Sequence, residues 1–434
     1  LLGYHLERAW RYRVELGTRD DALAARAGGL LAAAGLRAAD RADVPAAINL
    51  LTRAVELMAT DDERRAELLL HLGYGHYDAG ALEQAKALFE ETASSVTDGG
   101  QPALASRAAV GLLAVSIMTG RGRVLAEALN GIEREIARLQ VVDDPLGLAE
   151  AYREAAKAES HLGHTERADR AFEQAIVHAR RCGSRRIEAD VLVWRLAMQC
   201  WGYLPAGVGR RITNELLEQR PGGMAEAFAL VVRGRYRAVQ GDLDGGRTDI
   251  DAGRALIREF GADFYIAGSG QEQGQCELEA GEPAAAETVL REAYEMFEEM
   301  GSGAVSATAA ALLARALVEQ GRFDEADRFA LISEETATGD DVFTQSGWRA
   351  VRSRVLARRG DLAGAETLAR EAVAIAERTD FLEDHAAALL ALAEIMALAG
   401  REDEGRAAIE QAIKLYERKE SVVGVERARA RLRG

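Results

Sequence analysis

Gly321-Arg322-Phe323-Asp324-Glu325-Ala326 places a glycine at a helix end, a short polar turn, and an alanine one turn into the next helix. The arrangement returns about every 40 residues. Elbows start at Ala42, Gly80, Gly120, Gly163, Gly202, Gly241, Gly281, Gly321, Gly360 and Gly400, at spacings of 38, 40, 43, 39, 39, 40, 40, 39 and 40. Five residues after each start stand Ala47, Ala85, Leu125, Ala168, Gly207, Gly246, Ala286, Ala326, Ala365 and Gly405. Seven before stand Gly35, Gly73, Leu113, Ala156, Arg195, Gly234, Gly274, Ala314, Ser353 and Ala393. The elbow glycine supplies the left-handed conformation that ends a helix. The small residues on either side mark a close antiparallel crossing, which a larger side chain would push apart. One such pair cannot bury its apolar face alone, so the pairs must stack. The pattern predicts an all-α solenoid of about ten helix pairs. Gly120 and Gly202 are degenerate elbows: Leu113 and Leu125 are large for the first, and Arg195 for the second.

Composition agrees. Hydrophobic residues make up 48% of the 434, enough for a core, but only 6% are aromatic, so Ala, Leu and Val must build most of it. Six prolines leave room for many uninterrupted helices. The net charge of −16 disfavours direct nucleic-acid binding over the molecule as a whole. Cys182, Cys200 and Cys276 share no metal-ligand spacing, and so sparse a count fits a reducing, cytoplasmic setting. No run of 18 apolar residues occurs, so no membrane span is expected.

The chain divides into a junction helix over 1–18, a solenoid over 19–420 and a capping helix over 421–434. Leu1-Leu2-Gly3-Tyr4-His5 has no start Met or leader, which is expected of a piece that begins within a longer protein. Breaks between pairs fall at Thr97 to Pro102, Asp143-Asp144-Pro145, Pro221-Gly222-Gly223 and Gly301-Ser302-Gly303. Arg427, Arg429, Arg431 and Arg433 predict a solvent-facing final helix.

Leu72-Gly73, Gly80-Ala81-Leu82-Glu83-Gln84-Ala85 and Phe89 resemble the signature positions of the tetratricopeptide repeat, as do Gly163 to Phe172 and Gly321 to Ala326. That resemblance implies a right-handed αα-superhelix. The period exceeds the usual repeat of about 34 residues, which predicts longer helices. Leu2-Gly3-Tyr4-His5-Leu6-Glu7-Arg8-Ala9, Gly268-Ser269-Gly270-Gln271-Glu272, Val355 to Gly360 and Ala376 to Phe381 are similar to the C-terminal arrays of bacterial multidomain signalling proteins. In that group a class III adenylate/guanylate cyclase or DNA-binding domain precedes a signal-transduction ATPase and then such an array. The resemblance covers the array and none of the catalytic parts.

No phosphate loop of the GxxxxGK[ST] kind occurs. His161 and His164 lie three apart, but Gly163 stands between them at an elbow, so they read as turn residues rather than metal ligands. No catalytic constellation, metal site or cofactor is expected. In the tetratricopeptide family the first helix of each pair lines the concave face. Residues six and ten before the elbow glycine then face the groove, which singles out Arg153, Lys157, Arg235, Gln271, Gln275, Arg315 and Arg354. A column of Arg could hold carboxylates or phosphates through bidentate bonds. Alternatively these are solvated side chains with intrahelical partners, such as Glu319 for Arg315. The helix before Gly281 is unusual: Gly268, Gly270 and Gly274 lie inside it, each costing roughly 1 kcal/mol relative to Ala in an exposed helix. Gly274 fits the repeat; Gly268 and Gly270 do not. Phe264, Tyr265, Trp194 and Trp348 read as core residues.

The expected function is a non-catalytic recognition array. It would bind a protein segment, peptide or small effector on its concave face and regulate an N-terminal ATPase, cyclase or DNA-binding domain. The alternative is a scaffold or self-association module.

Overall fold

The computed structural model describes residues 1–41, 43–96, 100–119 and 124–433. The elbow starts Ala42 and Gly120, and Thr97, Asp98 and Gly99 of the first break, lie outside the described residues. Among the described residues there are 22 helices and no strand. Helix α1 (Leu2–Glu15) precedes ten pairs. The first five are α2 (Asp21–Asp40) with α3 (Val44–Leu57), α4 (Arg65–Asp78) with α5 (Leu82–Ser95), α6 (Pro102–Thr119) with α7 (Leu125–Val142), α8 (Pro145–His161) with α9 (Thr165–Cys182), and α10 (Arg185–Trp201) with α11 (Ala206–Glu218). The next five are α12 (Gly223–Val239) with α13 (Leu243–Glu259), α14 (Asp263–Ala280) with α15 (Pro283–Glu299), α16 (Gly303–Glu319) with α17 (Phe323–Thr336), α18 (Val342–Arg358) with α19 (Leu362–Ala376), and α20 (Leu382–Leu398) with α21 (Glu402–Lys419). Helix α22 (Val422–Arg433) follows.

Local chemistry sets the ends of these helices. Asp20, Asp43, Asp144, Ser184, Asp242, Asp341 and Asp361 each accept a hydrogen bond from a first-turn N–H, satisfying donors that a helix leaves open. Gly80, Gly163, Gly241, Gly281, Gly321, Gly360 and Gly400 hold φ between 73° and 92° and end their helices as the register predicts. The crossings are close: a Cβ at Gly73 would stand 2.6 Å from the Phe89 ring, and one at Gly234 would stand 2.5 Å from the Gly246 carbonyl oxygen.

Gly202 departs from the pattern. Its φ is −80° and ψ −151°, an extended conformation rather than a left-handed one. The cause is Arg195, too large for the close crossing. Its guanidinium reaches back to Asp169 at 2.7 Å and Glu173 at 3.0 Å on α9, and α10 packs on α9 and α12 more than on its own partner α11. Helix α6 departs differently. By length and composition it is apolar enough to cross a membrane, although it contains no unbroken apolar run. Half of it is buried inside the protein, and its Arg107 is paired at 3.0 Å with Glu150 of α8, so it serves as a core helix.

The stacked pairs wind until the chain meets itself. Residues 213 to 215 apart touch, which is about five pairs. Met300, Asp340, Asp380 and Glu420 follow the second helices of pairs seven to ten, and each sits on an elbow of pairs two to five. Met300 packs over Gly80, where an added Cβ would lie 2.8 Å from its sulfur. Asp340 accepts from the N–H groups of Leu125 at 3.4 Å and Ala126 at 3.0 Å. Asp380 accepts from the Thr165 hydroxyl, and Glu420 from the Gly207 N–H at 2.7 Å. Three carboxylates thus cap the N-termini of α7, α9 and α11 from the next turn, where the helix dipole favours negative charge. The ammonium of Lys419, itself buried, donates to the carbonyl oxygens of Cys200 and Gly202, the latter at 2.7 Å.

Replacing Asp340, Asp380 and Glu420 together by Ala should cost about 1 kcal/mol per site, measured by urea denaturation. Amide exchange at Ala126 and Gly207 should accelerate relative to the capped amides of Leu23 and Gly364. Unchanged exchange at both would show that the turns do not hold each other.

Candidate functional site

Winding this tight brings the first helices of the pairs around a narrow axis and takes much of the concave face out of water. Arg153 is 0% exposed, Lys157 4%, Arg235 3%, Gln271 4% and Gln275 8%. A charge can persist in such a place only if it is paired and hydrogen-bonded.

Around α8 the pairing balances. Arg153 binds Glu154 at 2.7 Å and Asp190 at 3.1 Å. Lys157 binds Glu154 at 3.2 Å and lies 4.7 Å over the Trp194 ring. Arg186 binds Asp78 at 2.7 Å, and Arg107 binds Glu150. Tyr77 donates to Glu154 at 3.2 Å, and Tyr265 donates to Asp190. Four cations face four carboxylates. Opposite charge outweighs burial for Glu154 and Asp190, whose carboxyls stay below their ordinary values although burial pushes them up.

Around α12 and α14 acids exceed bases. Arg235 pairs with Glu279, meets Glu383 at 3.4 Å and Glu272 at 3.7 Å, and donates to the Gln275 carbonyl at 3.3 Å. Trp201 donates to Glu272. One guanidinium cannot offset this many carboxylates. Burial, with Glu279 and Glu383 nearby, pushes Glu272 up to about 7 despite Arg235. Burial likewise pushes Asp384 to about 7, with Glu383 adding and Arg315 opposing.

Two cavities open along this axis. The larger, about 280 Å³, lies among α14, α16, α18, α20 and α22. Its floor is of small residues: Ala311, Gly347, Ala387, Ala388 and Ala391. Arg315, Arg354, Arg427 and Arg431 reach it, with Glu319 and Asp384. Arg354 is occupied by Glu319 at 2.7 Å and Glu394 at 2.9 Å. Among the described residues Arg427 makes one hydrogen bond, to the Tyr416 hydroxyl at 3.4 Å, and Arg431 one, to the Leu390 carbonyl at 3.4 Å. Half-buried Arg315 has no hydrogen bond or ion pair among the described residues, and Glu319, the intrahelical partner considered for it, is held by Arg354 instead. The smaller cavity, about 90 Å³, lies between α8, α10, α12, α14, α16 and α18 and is mostly aromatic. Phe343 borders both.

Of the seven sequence candidates, Arg315 and Arg354 line the larger cavity and Gln271 the smaller. Arg153, Lys157, Arg235 and Gln275 lie within the buried networks. Trp348 is core, and Trp194, Phe264 and Tyr265 are half-buried against core clusters and also line the smaller cavity. Gly270 is explained by packing, since a Cβ would lie 3.1 Å from the Arg254 guanidinium and 3.2 Å from Ala293, whereas at Gly268 it would meet nothing within 4 Å. His164 pairs with Glu159 at 2.6 Å and His161 faces Asp341 at 3.8 Å, so the two imidazoles diverge. The final helix meets expectation at Arg429, Arg431 and Arg433, which are exposed, whereas Arg427 is half-buried and, with Arg431, borders the larger cavity.

In fold the chain is similar to the Rap protein complexed with Competence and Sporulation Factor. The TM-score is 0.60 at 16% identity, over 82% of this chain and 100% of that one. It is also similar to the APC/C hetero-tetramer Cut9–Hcn1, with a TM-score of 0.54 at 14% identity, over 91% and 78% of the two chains. No family profile matches the chain, and no curated relative matches it by sequence. At these identities the likeness establishes the fold, a tetratricopeptide-like αα-superhelix, and no activity.

Arg235→Ala strands buried carboxylates and should lower stability by about 3–5 kcal/mol, whereas Arg315→Ala should stay within about 0.5 kcal/mol of the parent. Both are read by chemical denaturation. Glu272 and Asp384 hold protons more tightly folded than unfolded. Their contribution is therefore complete below about pH 4 and is lost as pH rises through 7. The double variant Glu272→Gln, Asp384→Asn should flatten the fall in Tm between pH 5 and 8 relative to the parent.

Proposed function

We propose that the chain is a non-catalytic recognition module whose larger axial cavity binds the carboxylate end of a protein segment or peptide. The observation that carries this is Arg315, a guanidinium on the wall of a roomy, small-residue cavity with no hydrogen bond or ion pair among the described residues. Arg427 and Arg431 stand by with only a hydroxyl and a carbonyl to hold, so an entering carboxylate would meet three under-used cations. Asp384, close to half protonated at neutral pH, opposes it weakly. The small-residue floor leaves space for an apolar side chain.

Two further points support the reading. The superhelices of the Rap protein and Cut9 were each solved with a bound partner. The cavity is also walled by α18, α20 and α22, which begin just after the contact residues Asp340, Asp380 and Glu420, so occupancy would tighten or relax the contact between turns. By the resemblance of the whole chain to signalling arrays, the contact would be relayed to an ATPase, cyclase or DNA-binding domain of the same bacterial regulator.

Fluorescence polarisation with short peptides bearing a free C-terminal carboxylate, each compared with its amidated form, tests this. A charge-assisted bond of about 1.5–3 kcal/mol makes the free acid at least tenfold tighter. Arg315→Ala should erase that preference with Tm unchanged. No binding by any peptide, or a free-acid preference that survives Arg315→Ala, overturns the proposal.

A further inference from the structure

The smaller cavity has a different chemistry. Trp194, Trp201, Phe264, Phe297 and Phe343 supply its walls, and ring pairs such as Trp201 with Phe343, 4.6 Å between centroids, and Phe264 with Phe297, 5.5 Å, hold one another in place. Trp194, Trp201 and Phe264 are half-buried, so the cavity is reached from the axis. Among the described residues no Arg or Lys lines it; its ionisable groups are Glu272, Asp341, His161 and Tyr265. It offers no cation to pair with an anion, and burial pushes both carboxyls up, Glu272 to about 7, so the cavity favours a neutral guest.

Two features of α14 remain unused by the fold. Gly268 is a helix-interior glycine beside which a Cβ would meet nothing within 4 Å. Gly234, Gly246, Gly253, Gly270 and Gly274, also inside helices, each have a neighbour within 3.2 Å that explains them. Gly268 instead keeps the cavity wall open. One turn on, the amide nitrogen of Gln271 is buried and has no hydrogen-bond partner among the described residues, and neither does Oε2 of Glu272 beside it. A buried donor left unpaired is rare in a native protein, and this one belongs to a side chain that lines an apolar cavity.

We infer that the smaller cavity is a second binding site, specific for a small neutral aromatic molecule whose edge carries a hydrogen-bond acceptor for Gln271. Size limits the guest to a single ring: an apolar cavity of about 150 Å³ takes benzene whole, and this one, at about 90 Å³, encloses part of such a ring and leaves the rest at its half-buried mouth. Ring walls offer edge and offset faces to such a guest. The site does not depend on the carboxylate-binding proposal, since Phe343 separates it from the larger cavity.

Phenol, toluene and benzoate are the probes, with binding followed by saturation-transfer NMR and by the shift in Tm. Phenol should bind saturably and at least fivefold tighter than toluene, and benzoate should not compete. Gln271→Leu should abolish the preference for phenol over toluene. Gly268→Leu should weaken phenol at least tenfold while Tm holds or rises, because the side chain enters open space. Gly268→Ala, which adds one methyl group, should weaken it less, again without loss of Tm. Arg315→Ala should leave phenol binding unchanged. No saturable phenol binding to the parent, which would mean that the cavity holds water only, overturns the inference. So does binding that Gly268→Leu and Gly268→Ala leave intact, or a drop in Tm with Gly268→Ala.

Discussion

The second superhelical turn rests on the first through one repeated contact: the residue that ends each late pair sits on the elbow of an early one. Met300 over Gly80, Asp340 on the first amides of α7, Asp380 on Thr165, and Glu420 on Gly207 form four seats at 40-residue intervals. Each joins a helix N-terminus, with its unsatisfied donors, to the next turn, and three of them do so through a carboxylate. An open solenoid leaves those donors to water. Here they fix the pitch, and the pitch fixes how much of the inner surface survives as a groove.

The rest follows from that closure. First helices that would line a solvent channel face one another across a narrow axis, so their polar side chains must find partners inside. Where acids and bases balance, as around Arg153 and Lys157, a neutral network results. Where acids exceed bases, as around Arg235, two carboxyls rise towards neutral pH rather than remain ionised. Where side chains do not meet, space remains: over Ala and Gly in the larger cavity, and between rings beside Gly268 in the smaller. Their walls differ because their helices do: α16, α18 and α22 deliver guanidinium groups, whereas α10 and α14 deliver rings.

The elbows were legible because a helix end needs a left-handed residue and a close crossing needs a small one, both local demands of the backbone. That is why Gly321 to Ala326 located nearly every pair, and why the exception came where Arg195 breaks the rule. The contact between turns was not read, because its partners lie more than 200 residues apart and no local pattern links them. Yet Met300, Asp340, Asp380 and Glu420 share the 40-residue register, and scanning the sequence at that period for carboxylates opposite the elbows would have found three of them. The register six and ten before the elbow assigns residues to the groove, but it does not decide between solvent and burial. Only the pitch does, and it left Arg315 free while enclosing Arg153, Lys157 and Arg235. The ambiguity of Gly268 and Gly270 was likewise beyond a local pattern, since one meets Arg254 and the other meets open space.

The closed pitch is tested most directly by double electron–electron resonance between spin labels at exposed Glu83 and Glu299, on helix ends flanking Gly80 and Met300. A Cys182→Ala background removes the one exposed thiol and leaves Cys200 and Cys276 buried. The account predicts a single narrow distribution at short distance. A long or broad distribution would mean that the turns stand apart, that Arg153, Lys157 and Arg235 line an open groove, and that the axial cavities do not exist as described.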